Sequence, residues 1–86
     1  MGTRRRNQPK HLGRKLRQVR AGLGVGQKEM ARLLGKAEHG VAPGMVSRFE
    51  RGMLEPSLIV ILEYARLGGV AVEELIDDTL ELSRDA

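Results

Sequence analysis

The sequence predicts an all-α fold built from five short helices. Apolar residues recur at spacings of three and four in successive segments of the 86-residue chain, as one buried helical face requires. Glycines and prolines separate those segments at the places where helices stop and start. Aromatics are nearly absent, with one Phe and one Tyr. The core must therefore be aliphatic, which suits small packed helices better than a sandwich of aromatic and β-branched strands.

Residues 1–10 lack apolar periodicity and read as a basic flexible arm. "HLGRKLRQVRAGLG" then places Leu12, Leu16, Val19 and Leu23 on one stripe, and Gly22 and Gly24 end the first helix. "GQKEMARLLG" is a second, short helix. Gly26 is an acceptable N-cap, Glu29 falls in the first turn, and Met30, Ala31 and Leu34 mark the buried side. A third helix begins near Pro43, whose missing N–H would be unpaired there anyway. Val46 and Phe49 face inward and Gly52 supplies a left-handed stop. Pro56 and Ser57 open a fourth helix, "SLIVILEYARLGG", with Leu58, Ile61, Leu62 and Ala65 on one face. "VAVEELIDD" is a fifth, burying Val72, Leu75 and Ile76. In the closing "TLELSRDA", Leu80 and Leu82 alternate, as either a short pairing strand or a frayed tail. The expected organisation is an arm over 1–10, a helical domain over 11–77 and a tail over 78–86.

Composition narrows the function. With 41% hydrophobic and 30% charged residues the chain is too apolar for wholesale disorder. It has no cysteine, hence neither disulfides nor a thiolate zinc site. No apolar run approaches the roughly 18 residues of a membrane span, and the basic start is no signal peptide. A cytoplasmic protein is expected. The net charge of +4 conceals a division. Residues 1–51 carry +10 and residues 52–86 carry −6. Such polarity suits a basic face turned to a polyanion, nucleic acid above all, although two solvated faces would look the same. His11 and His39 have no partners at ligand spacing, so no metal or cofactor is expected. No Ser/His/Asp or Cys/His set and no phosphate-cradling loop is present, so no enzyme is expected.

Several features coincide in order and spacing: Arg20 with Glu50, "GVGQ" at 24–27, "SRFERG" at 47–52, "PSL" at 56–58 and "LGGVAVEELI" at 67–76. Together they resemble the Cro and phage-repressor (XRE) type of helix-turn-helix protein, over about residues 11–77. The resemblance implies a compact five-helix repressor-like domain whose second and third helices form the helix-turn-helix. It further implies a sequence-specific regulator of transcription that binds double-stranded DNA, with a homodimer on a two-fold operator as the arrangement that goes with it. One departure stands out. Relatives pass from the glycine after helix two to the first buried residue of helix three in about six positions. Here Gly35 to Val46 spans eleven. Roughly "KAEHG", residues 36–40, is extra, and the polar cap of helix three is replaced by Ala42. The turn is enlarged.

By the same resemblance, Pro43, Gly44, Met45, Ser47 and Arg48 face DNA. Arg48 is the strong reader, able to bond guanine bidentately, with phosphate contact as its alternative. Met45 could meet a thymine methyl, and Ser47 base or phosphate. Gln27 resembles the family's phosphate-clamping glutamine, with Lys28, Arg51 and Lys36 as further phosphate contacts and Arg32 as either another or a solvated charge. Glu55 would repel phosphate. Arg20 and Glu50 are implied to be a partly buried ion pair joining helices one and three. Arg4, Arg5 and Arg6 are either a solubilising tail or an arm reaching DNA. The alternative function keeps the fold but makes it an antitoxin-like protein-interaction module.

Overall fold

A computed structural model describes residues 8–36 and 40–83 of the chain. Its helices are α1 (Leu12–Leu23), α2 (Gln27–Leu34), α3 (Pro43–Glu50), α4 (Leu58–Gly68) and α5 (Val72–Ile76). No strand occurs among the described residues. Helix α1 lies at the centre and packs on α3, α4 and α5, while α2 packs on α3 and α4. The single core takes Leu12, Leu16 and Val19 from α1, Met30, Ala31 and Leu34 from α2, and Val46 and Phe49 from α3. Val60, Ile61, Tyr64 and Ala65 of α4 and Leu75 of α5 complete it.

Three of the predicted buried faces need correction. On α4, Leu58 is 81% exposed and Leu62 only half-buried, while Val60 and Tyr64 join Ile61 and Ala65 inside. A run of five apolar residues, "LIVIL", has a helical period without a unique phase. Tyr64 settles it, buried with its hydroxyl lacking a hydrogen-bond partner among the described residues. On α1, Leu23 projects past the core; of the two glycines expected to end the helix, Gly24 does so in the left-handed region (φ 73°), while Gly22 lies within it. On α5, Leu75 alone is fully buried. Val72 is half-buried and Ile76 exposed, because a five-residue helix turns only one position squarely inward. In the tail, Leu82 packs half-buried against the core and Leu80 is exposed, so their alternation forms no strand.

Two long-range polar contacts close the bundle. The His11 side chain does not cap α1. Instead the Asp78 carboxylate accepts hydrogen bonds from the backbone N–H groups of Lys10 (2.8 Å) and His11 (3.0 Å), taking up donors that a helix start leaves unpaired. Lys15 is fully buried, and its Nζ donates to the carbonyls of Glu74 (2.8 Å) and Asp77 (2.9 Å) at the end of α5. A buried ammonium is tolerable only when hydrogen-bonded, and here it satisfies carbonyls that α5 cannot. Neither contact is visible in the apolar pattern.

Candidate nucleic-acid interface

Helix α3 has poor local credentials. Ala42 offers no capping side chain, and Gly44 sits inside the first turn. Each defect costs about 1 kcal/mol. Burial of Val46 and Phe49 contributes about 1.5–3 kcal/mol apiece, so packing outweighs propensity and also fixes the rotation of the helix. With those two side chains inside, Pro43, Gly44 and Arg48 are exposed, and Met45 and Ser47 are half-buried. Met45 spends part of its surface on the core. Arg51 stands at the C-cap and folds back, its Nε donating to the Ser47 carbonyl at 3.4 Å.

Eight residues, 35–42, join α2 to α3. Gly35 keeps right-handed helical geometry (φ −65°), Gly40 lies in the left-handed region (φ 90°), and Val41 is tucked against the core. Lys36 is exposed at the start of the turn. Of the other extra residues, Ala37, Glu38 and His39 lie outside the described residues, as do Arg4, Arg5 and Arg6 of the arm.

Helix α2 begins at Gln27 behind Gly26, which has no side chain to cap it. Lys28 is exposed beside Gln27. Arg32 is engaged along α2 by Glu29, its Nε donating to Oε1 at 3.0 Å and its Nη2 to Oε2. That hydrogen bonding holds the Glu29 carboxyl below its ordinary range and offsets the charge of Arg32. Lys28 and Arg48 make no ion pair with a described residue.

Behind this surface lies the Arg20–Glu50 pair. Arg20 donates through Nε to Glu50 Oε2 (2.6 Å) and through Nη2 to Oε1 (3.0 Å), a bidentate fork. Its Nη1 donates to the Val25 carbonyl in the α1–α2 loop at 3.0 Å. The Glu50 side chain is only 5% exposed, and its hydrogen bond raises the Arg20 guanidinium above the usual arginine range. Glu50 Oε1 also accepts from Gln27 Nε2 at 3.3 Å, a contact the sequence did not announce. One carboxylate thus gathers α1, the start of α2 and the end of α3.

The spacing of the glycines adds a further constraint. A Cβ on Gly13 of α1 would lie 2.6 Å from the Glu50 carbonyl oxygen and 3.0 Å from that of Phe49. Helix α1 meets the end of α3 backbone to backbone. A lone glycine in a first helical turn was the available sequence signal for this approach.

A family model described as a helix-turn-helix domain matches residues 11–78. The chain belongs to the helix-turn-helix family. Its two-helix unit is α2 and α3, joined by the enlarged turn. Among solved structures, the helix-turn-helix chain is similar to the P22 c2 repressor protein, crystallised with synthetic operator 9T in the presence of Tl+. The TM-score is 0.67 at 21% identity, covering 84% of this chain and 98% of that one, a likeness of fold. No curated protein matches the chain. Among the described residues, no group of three or more His, Cys, Asp or Glu could hold a metal, and no helix is long and apolar enough to cross a membrane.

Proposed function

We propose that this helix-turn-helix chain is a transcriptional regulator that binds double-stranded DNA, with α3 in the major groove. The observation that carries the reading is the fixed rotation of α3, which leaves Gly44 and Arg48 exposed and Met45 and Ser47 partly so, with Met45 shared between the surface and the core. The shared fold with a repressor solved on operator DNA supports it. In this arrangement Arg48 reads guanine, Met45 meets a thymine methyl, Ser47 bonds a base edge and Gly44 lets the backbone approach. Gln27, Lys28, Arg51 and Lys36 hold phosphates, and the uncapped start of α2 adds its own N–H groups.

The test is selection from random duplexes, with affinity followed against salt. An enriched consensus and retention that weakens with salt are expected. Arg48→Ala should then cost about 1–3 kcal/mol on the selected site and little on random DNA. Gln27→Ala should weaken binding to all duplexes by a similar factor, because phosphate contacts carry no sequence. Equal losses on both DNAs would demote Arg48 to a phosphate contact. A second reading, a protein-interaction module, is favoured by the exposure of Met53 (66%), Leu58 (81%) and Ile59 (52%) on one short stretch. Failure to select any consensus would favour it. A homodimer suited to a two-fold operator is part of the leading proposal and is checked by sizing in solution.

A further inference from the structure

The contact between Gln27 and Glu50 joins two roles that would otherwise be separate. A carboxamide is ambivalent, since either its oxygen or its NH2 group can face outward, and its terminal torsion is broad and nearly two-fold. Only one of the two faces attracts a phosphate. A carboxylate is acceptor-only, so Gln27 must turn Nε2 toward Glu50, as observed at 3.3 Å. The opposite orientation would set the amide oxygen against Glu50 Oε1. The amide is planar, so committing one N–H fixes the direction of the other, which has no partner among the described residues. Glu50 cannot itself turn away, because Arg20 grips both of its oxygens (2.6 and 3.0 Å). Arg20 in turn is held to the Val25 carbonyl just before α2 begins.

We propose that Glu50 is a positioning residue, locking the Gln27 amide so that its second N–H is presented as a phosphate donor at the start of α2. The inference rests on the DNA-binding reading above. The Arg20–Glu50 pair then prepares the interface as well as holding helices together.

A cycle of variants separates the two roles. Arg20→Met with Glu50→Leu removes both charges while keeping apolar volume, and urea unfolding confirms that the variant folds. In the unaltered chain, Gln27→Ala should weaken binding to duplex DNA about tenfold, the value of one hydrogen bond to a charged group. In the paired variant the same change should weaken it by about fivefold or less, because the amide is already free to turn either face outward. A tenfold loss in both backgrounds overturns the inference while leaving DNA binding intact. Absence of salt-sensitive binding by the unaltered chain overturns the DNA reading, and the phosphate half of the inference with it. A readout without DNA decides the positioning half. The two Gln27 side-chain amide protons should be resolved by NMR, with one slowed in hydrogen exchange, and Glu50→Leu in the paired variant should abolish that slowing. If the paired variant does not fold, Arg20→Leu with Glu50→Met takes its place in both measurements. Amide signals indifferent to replacement of Glu50 overturn the positioning half outright.

Discussion

Arg20 and Glu50 show how much depends on single side chains in so small a core. Removing one member of a buried pair leaves the other uncompensated, whereas removing both replaces a desolvated pair with apolar packing. Arg20→Met should therefore destabilise the fold by roughly 3 kcal/mol, given a Glu50 side chain that is 5% exposed. Adding Glu50→Leu should recover much of the loss in a urea titration. Identical midpoints for the single and double variants would show that the pair contributes nothing. Asp78 acts at the surface and responds to pH. Its backbone bonds from Lys10 and His11 hold its carboxyl below the ordinary aspartate range. A lowered folded-state pKa means stability that is fully present above the unfolded value, near 3.8, and lost as pH falls through the lower folded value. Asp78→Asn should thus lower the melting temperature at neutral pH and make less difference in strong acid. A difference that stays constant from neutral pH down to strong acid would exclude this titration.

At the scale of the element, two glycines in helices should behave oppositely. Gly13 lies against the backbone of α3, and a methyl there meets Glu50 oxygen at 2.6 Å, too close for either helix to stay in place. Gly44 in α3 has nothing within 4 Å of a would-be Cβ. Gly13→Ala should destabilise by more than about 1 kcal/mol, in the range of overpacking. Gly44→Ala should stabilise by about 0.5–1 kcal/mol through helix propensity. Denaturant midpoints moving in the same direction would contradict the geometry. The five helices were legible because caps, glycines and apolar spacing agree along most of the chain, and α3 was placed at Pro43 despite its weak start. The phase of α4 was not legible, since an unbroken apolar run supports two stripes and a tyrosine hid the true one. Among the site residues, Val46 and Phe49 were placed inward from pattern alone, and the face of α3 turned to DNA came from the resemblance. The Gln27 contact with Glu50, the Lys15 bonds to α5 and the Asp78 cap escaped because they join residues 23 to 68 positions apart. Periodicity carries no information over such distances.

At the scale of the whole molecule, the division of charge follows the order of the helices. The basic half of the sequence supplies α1, α2 and α3, and the acidic half supplies α4, α5 and the tail. Arg14 and Glu81 bridge the halves only loosely, at 3.4 Å with both side chains well exposed, so screened charge contributes little there. The Asp78 cap is the firmer closure, because it brings residues 68 positions apart to within 2.8 Å. That contact makes the described chain nearly a ring, and a ring can be opened elsewhere. A circular permutant that links the residues after Ser83 to Gln8 through a short glycine–serine segment, and begins instead inside the α2–α3 turn, should keep the native helical circular dichroism and a cooperative melt. It would also turn the slowest loop to close into a local one and make α2 seek α3 across the length of the chain, shifting which contacts form first. A permutant that folds but no longer binds DNA would mean that the covalent turn between α2 and α3 sets their relative aim. One that folds and binds would leave that aim to the core and to Glu50.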